Sequence, residues 1–129
     1  MRLPLNSIYI TNKHGTPGYG YFNRHCGWDL RASVDTKVYA KANGTVTEKY
    51  VGTSGIKVLS VRYPDYEHRY LHLSQMLVKV GQAVKEGQVI AKTGNTGNVA
   101  AHLHEDIRKP GTAWTASETP AGRFAAMCA

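Results

Sequence analysis

Short segments in which apolar and polar residues alternate run through most of this chain, and Gly, Asn and Pro separate them. Because alternation of period two gives a strand one buried and one exposed face, these segments predict β-strands. They fall at residues 36–40, 45–47, 56–63, 68–73, 78–84, 88–91 and 102–108. No stretch of about 12 residues or more places its apolar residues at helical spacing. The chain is therefore predicted to be an all-β protein of short antiparallel strands.

Turn signals divide these predicted strands. Asn43 and Gly44 form a strong hairpin signal between residues 36–40 and 45–47. Other turns or loops are predicted at residues 11–23, 85–87 and 94–98. The 129 residues suit one domain. We expect it to span residues 1–112, with a loosely packed C-terminal tail at 113–129.

The charge balance bears on the partners of the chain. Its 16 Lys and Arg against 9 Asp and Glu give a net charge of +7, which favours polyanionic surfaces. The basic residues are scattered, and no zinc-finger or helix-turn-helix pattern occurs, so no nucleic-acid partner is expected. No apolar run approaches the roughly 18 residues that span a bilayer, and no secretory signal pattern is visible at the start. We therefore expect that the chain is made in the cytoplasm and that it makes no integral membrane contact.

The histidines fall into a few short motifs. His25 and Asp29 form an H-x-x-x-D, whose ends share one face of a strand or a helix. His102 and His104 are two residues apart, so on a strand they also share a face. His72 lies in a third segment, Y-L-H-L. Together they supply the residue types of a zinc hydrolase site.

Catalytic zinc takes three protein ligands from His and Asp or Glu and leaves a fourth position to water. Two imidazoles and one carboxylate leave a net charge near +1, which keeps the metal a useful Lewis acid. Further histidines could then move protons. Spacing alone does not choose among these residues, and His14 and His68 are interpreted as structural or surface histidines. The H-E-x-x-H helix of the common metalloproteases is absent from the sequence.

Two cysteines are too few to define a disulfide framework. Cys26 lies between His25 and Asp29, but on a strand its side chain would point to the opposite face. We interpret it as a free thiol or a packing residue, and a bridge to Cys128 stays an open alternative.

From about residue 10 to residue 111 the chain resembles the lysostaphin/LytM-type peptidases, the M23 family. The resemblance rests on motifs in the family's order: H-x-x-x-D at 25–29, a strand and turn at 38–46, Y-x-H-L at 70–73, V-x-V-G-Q-x-V-x-x-G-Q-x-I at 78–90, G-N-T-G at 94–97 and H-L-H at 102–104. It implies a single small domain of antiparallel strands with long loops around a zinc cleft, of the duplicated hybrid motif type.

The resemblance also implies the ligands of one zinc ion per chain. The family binds zinc through both ends of the H-x-x-x-D and the second histidine of the H-L-H, which correspond to His25, Asp29 and His104.

Three further residues are implied to act in catalysis. His72 and His102 would act on the attacking water and the transition state. Tyr19, six residues before His25, would hydrogen-bond the developing oxyanion, and Tyr21 is the alternative for this role.

The chain departs from the family pattern after the H-L-H motif. Glu105 and Asp106 follow directly, where the family usually has an aromatic residue and then Glu. Residues 98–101 also lack the usual Ser, Thr, Gly and Pro character. We expect both changes to reshape the substrate groove.

The implied activity is zinc-dependent hydrolysis of peptide bonds in bacterial peptidoglycan, in stem-peptide cross-links or in the bridge, with lysis of the wall. Peptidoglycan is the expected partner, and a monomer is the expected state. The missing signal and the positive charge suggest a phage-type endolysin that reaches the wall or periplasm after release.

Two other classes of function stay open. A non-catalytic scaffold of the same family could activate another wall hydrolase, but such scaffolds typically lack the metal ligands. The segment at residues 78–91 also resembles the hairpin of lipoyl, biotinyl and phosphotransfer domains. A lipoyl or biotinyl domain needs a modified Lys at an exposed hairpin tip, and none is in the expected setting, whereas a phosphotransfer domain needs two histidines but not the H-x-x-x-D motif. Metal content separates these alternatives from the peptidase.

Overall fold

The computed structural model describes residues 4–6, 10–12, 28–64, 66–97 and 99–108. Ten strands lie in these ranges: β1 Ile10–Asn12, β2 Trp28–Arg31, β3 Lys37–Tyr39, β4 Gly44–Val51, β5 Lys57–Arg62, β6 Glu67–Leu71, β7 Leu73–Met76, β8 Ala83–Val84, β9 Val89–Thr93 and β10 His102–Arg108. A 3-10 turn at Thr53–Gly55 is the one helical element among them. All the strand pairs are antiparallel, which confirms the predicted all-β fold. Within the same ranges no helix has the length and apolar character needed to cross a membrane.

The strands form two sheets. The larger has the order β1-β2-β10-β6-β5-β4-β8, and the smaller has the order β3-β9-β7. Buried apolar side chains from both sheets form one core cluster, which includes Leu30, Leu59, Val61 and Leu103 of the large sheet and Val38, Leu73, Ile90 and Ala91 of the small sheet. Each buried aliphatic side chain of this size contributes about 1.5–3 kcal/mol to stability. The core thereby fixes β10, the last strand described, between β2 and β6.

The hairpin predicted at Asn43 and Gly44 is wrong. Strand β3 pairs with β9, whereas β4 pairs with β5 and β8, so the chain changes sheet here. The Oδ1 atom of Asn43 accepts a hydrogen bond from the backbone N–H of Glu86 at 3.0 Å. A Cβ atom on Gly44 would lie 2.6 Å from the carbonyl oxygen of Arg62. Asn43 and Gly44 therefore allow the chain to pass close to the segments that contain Glu86 and Arg62. The local sequence signal of such a contact is the same as that of a hairpin turn.

The single strand predicted at residues 68–73 is also wrong. Strand β6 ends at Leu71 in the large sheet, and β7 begins at Leu73 in the small sheet. His72 lies between them with φ 65°, in the left-handed region that is uncommon outside glycine but enriched for histidine. The alternating pattern continues through this corner, so it gives no sign that the chain turns.

Smaller differences concern the bounds of other elements. Within residues 78–84 only Ala83–Val84 is a strand, because residues before it turn through Gly81 at φ 85°. Strand β1 includes Thr11 and Asn12, which were predicted to lie in a loop. The predicted domain boundary after residue 112 lies outside the described residues and stays a prediction.

Candidate metal and catalytic site

Asp29 on β2 and His104 on β10 are directly opposite each other in the strand register. The Nδ1 atom of His104 is 3.0 Å from Oδ1 of Asp29, and both residues are buried. His102 lies on the same face of β10, and its Nε2 atom is 3.3 Å from the same oxygen. Two imidazole nitrogens thus converge on one carboxylate oxygen.

This arrangement fits part of a zinc site. A bare imidazole nitrogen and a carboxylate oxygen repel each other unless a proton or a cation lies between them. With ligand bonds of about 2.1 Å, two donors of a tetrahedral zinc ion lie about 3.4 Å apart, close to the separations observed here. Within the described residues the donors do not complete a three-ligand metal group. The remaining expected ligand, His25, lies outside those residues.

His72 follows β6, the other neighbour of β10, and therefore lies beside the two histidines of that strand. Its ring centroid is 4.8 Å from that of His102 and 6.2 Å from that of His104. Its Nδ1 atom is 2.7 Å from the carbonyl oxygen of Thr96. Because a carbonyl only accepts hydrogen bonds, Nδ1 of His72 carries the proton, and Nε2 of the neutral ring is available as a base.

Burial lowers the pKa of His72, and the hydrogen bond to Thr96 opposes this shift only in part. The nearby His102 and His104 lower the same pKa further, while Asp29 raises it. The ring therefore favours its neutral form near neutral pH, as a proton acceptor requires.

His102 is held in the same way. Its Nδ1 atom is 2.7 Å from the carbonyl oxygen of Ala100, so this nitrogen also carries a proton. Burial alone would lower the pKa of His102, but the hydrogen bond and the charge of Asp29, with the bond to Ala100, outweigh it and raise the pKa. His72 and His102 thus share a tautomer but differ in the direction of their pKa shifts.

The structure brings together four of the six predicted site residues: Asp29, His72, His102 and His104. His25 and Tyr19 lie outside the described residues, as do Tyr21, His14, Cys26 and Cys128. His68 is buried in the core away from these residues.

The expectation that Glu105 reshapes the groove is not met, because this residue faces the core. Its Oε2 atom is 3.0 Å from Nδ1 of His68, and both side chains are only 2% exposed. Asp106 is also fully buried and pairs with Arg69. Sequence reasoning missed these pairs, and it missed the contact of Thr96 with His72, although the G-N-T-G motif contains Thr96.

Comparison with known proteins gives a consistent result. The model of peptidase family M23 matches residues 23–116. The peptidoglycan DD-endopeptidase ShyC of Vibrio cholerae is 37% identical over 113 residues, which cover 83% of this chain and 26% of that protein. The first curated relatives are all much longer, and the chain spans between 20% and 30% of their length.

Solved structures agree with this assignment. The catalytic domain of the antimicrobial peptidase lysostaphin from Staphylococcus simulans matches with a TM-score of 0.80 and 27% identity, over 90% of this chain and 91% of that domain. A zinc-containing peptidase from Vibrio cholerae matches with a TM-score of 0.69 and 32% identity, over 83% of this chain and 36% of that one. Since the family model covers most of the sequence and the strands follow the same fold, the chain belongs to peptidase family M23.

Proposed function

We propose that this chain is a zinc-dependent endopeptidase that hydrolyses peptide bonds in bacterial peptidoglycan. The observation that carries the proposal is the convergence of His102 and His104 on one carboxylate oxygen of Asp29, with His72 beside them. Family membership and the similarity to a zinc-containing peptidase support zinc, and the similarity to ShyC supports the substrate.

In this proposal His25, Asp29 and His104 hold one zinc ion. Zinc at this position supplies a Lewis acid that polarises the peptide carbonyl and lowers the pKa of water. The short Asp29–His104 separation and the burial of both side chains favour a desolvated position for the cation.

His72 and His102 would move protons. Each ring donates its Nδ1 hydrogen to a backbone carbonyl, so each would move a proton through Nε2. Nε2 of His102 is 3.3 Å from Oδ1 of Asp29, and it would become available once zinc binds that oxygen. Burial lowers the pKa of His72, which suits the accepting role. Tyr19 would donate a hydrogen bond to the developing oxyanion, a role taken over from the family resemblance.

We also propose that the chain acts as a monomer at the cell wall, without membrane insertion. Its charge of +7 favours contact with the anionic polymers of a wall. More specifically, we propose that the chain is a phage-type endolysin, which reaches the wall after its release. Purified chain added to isolated cell walls should clear the suspension, and a failure to clear it would contradict this part of the proposal.

Zinc content and hydrolysis of purified peptidoglycan test the proposal together. We expect one zinc ion per chain in the purified protein, and release of soluble peptides that stops with a chelator and returns with zinc. His104→Ala should lose both zinc and activity. His72→Ala should keep its zinc but lose activity about 10²–10⁴-fold, because general acid–base catalysis contributes a factor of this size.

The contrast between the two variants separates a ligand from a residue that moves protons. Mass spectrometry of the released fragments would identify the bond, either in a stem-peptide cross-link or in the bridge. A folded chain that binds no zinc and releases no peptide would contradict the proposal and favour the non-catalytic scaffold.

A further inference from the structure

We propose that Thr96 is a positioning residue for His72, and that the loop at residues 94–97 fixes the tautomer and the direction of that imidazole. The inference rests on the proposed function, in which Nε2 of His72 moves a proton. The loop connects β9 with the residues before β10, and it lies against the corner where β6 gives way to β7.

The backbone of Thr96 makes the direct contact. Its carbonyl oxygen is 2.7 Å from Nδ1 of His72, and it can only accept a hydrogen bond. A different position of this carbonyl would remove the preference for the Nδ1–H tautomer, and the Nε2 atom would then carry the hydrogen in part of the molecules. A ring in that tautomer cannot accept a proton through Nε2.

The side chain of Thr96 holds the carbonyl in place. Its Oγ1 atom accepts a hydrogen bond from the backbone N–H of Lys57 at 3.1 Å and donates one to the carbonyl of Leu73 at 2.9 Å. Lys57 is the first residue of β5, and Leu73 directly follows His72 in the chain. One hydroxyl therefore ties the loop to both sheets and to the neighbour of the residue that it positions.

The two glycines of the loop permit this close contact. Gly97 has φ 90°, and a Cβ atom there would lie 3.3 Å from Nδ1 of His72 and 3.1 Å from Cβ of Ile56. A Cβ atom on Gly94 would lie 2.7 Å from the backbone nitrogen of Ser74 and 3.0 Å from the carbonyl oxygen of His72. The loop thus packs against the imidazole of His72 and against the backbone from His72 to Ser74.

His72 itself needs such support. Its φ of 65° is uncommon for a residue with a side chain, and such conformations persist where the surrounding structure determines them. The contacts of Thr96, Gly94 and Gly97 supply that surrounding structure.

Three variants test the inference in the zinc-loaded full chain. Thr96→Val has nearly the same shape but loses both hydroxyl hydrogen bonds, and Thr96→Ser keeps them. Thr93→Val is the matched control, because Oγ1 of Thr93 also accepts a backbone N–H, from Thr36 at 3.0 Å, and donates to a carbonyl, of Ser33 at 2.7 Å. We expect kcat on peptidoglycan fragments to fall about 10–100-fold in Thr96→Val, with KM changed less than about twofold, as for a misplaced catalytic group.

Thr96→Ser and Thr93→Val should keep kcat within about threefold of wild type, even where the melting temperature falls as much as in Thr96→Val. A comparable loss of kcat in Thr93→Val would assign the effect to general destabilisation and overturn the inference.

Nitrogen-15 NMR of the histidine rings gives a readout that does not depend on activity. We expect His72 to be in the Nδ1–H tautomer in the wild type and in Thr96→Ser, and in a mixture of tautomers in Thr96→Val. An unchanged His72 tautomer in Thr96→Val, or an Nε2–H tautomer in the wild type, would overturn the inference. A wild-type chain with the expected tautomer but no peptidase activity would instead contradict the proposed function.

Discussion

Glu105 is next to His104 in the sequence but on the opposite face of strand β10. The alternation of side chains along a strand turns His104 towards Asp29 and Glu105 into the core. There Glu105 contacts His68, whose Nε2 atom is 3.3 Å from Nζ of Lys41. The position at which the family usually has an aromatic residue is thus occupied here by a buried polar pair.

Loss of one member of this pair should strongly destabilise the fold. Glu105→Ala removes the partner of a histidine that is 2% exposed, and we expect the free energy of unfolding to fall by about 3–5 kcal/mol. Glu105→Gln keeps a hydrogen-bonding side chain of the same size and should lose about 1 kcal/mol. Urea denaturation of the two variants and the wild type measures the difference. A loss in Glu105→Ala no larger than the loss in Glu105→Gln would contradict a stabilising role for the hydrogen bond between Glu105 and His68.

At the scale of elements, the pairing of β6 with β10 decides where His72 lies relative to His102 and His104. A slip of one residue in this register would turn every side chain of β10 to the other face, so that its apolar side chains would leave the core. The register is therefore fixed by the stability of the fold. Arg69 on β6 and Asp106 on β10 are directly opposite in this register. The Nε and Nη2 atoms of Arg69 donate to the two carboxylate oxygens at 3.0 and 2.5 Å. This bidentate salt bridge joins β6 to β10 on the face that carries the site residues.

Replacement of the guanidinium should weaken this contact even when the charge is kept. Lysine cannot make the paired hydrogen bonds of arginine. We therefore expect Arg69→Lys to lower the free energy of unfolding by about 0.5–3 kcal/mol, the range of coupling energies between residues in contact. A double-mutant cycle with Asp106→Asn, followed by urea denaturation, measures the coupling. Additive effects of the two substitutions would show that the pair does not hold the register.

At the scale of the whole molecule, buried tyrosines predict how stability depends on alkaline pH. Burial raises the pKa of Tyr63 to about 12, although its hydrogen bonds with Tyr70 and with the backbone of Lys41 oppose the shift. Burial also raises the pKa of Tyr70 well above its ordinary value. Both hydroxyls therefore stay protonated in the folded protein at pH values where they ionise in the unfolded chain.

The stability that Tyr63 contributes is fully present below pH 10 and is lost as the pH rises through about 12. A shift of this size lowers the free energy of unfolding by about 2–3 kcal/mol across that window. Denaturation curves between about pH 8 and pH 12 measure the fall for the wild type and for Tyr63→Phe. An equally steep fall in the variant would contradict the assignment to Tyr63.

Local sequence patterns were enough to identify the class of the fold, and they predicted a candidate site of which four residues lie together in the structure. Alternation of period two and the lack of helical spacing are local properties, so they identified an all-β chain before any contact was known. The spacing of His102 and His104 determined that they share a face, since side chains of a strand alternate. The order of the motifs predicted peptidase family M23, and the match of the family model to residues 23–116 confirmed it.

How these parts meet depends on long-range contacts, which become visible in the folded chain. Sheet membership depends on partners distant in the sequence, so Asn43 and Gly44 carried a hairpin signal at a place where the chain crosses between sheets. The approach of Asp29 to His104 joins residues 75 positions apart, and Thr96 reaches His72 across 24 positions. No local pattern encodes such contacts, because the core places β10 between β2 and β6 and thereby sets which side chains become neighbours.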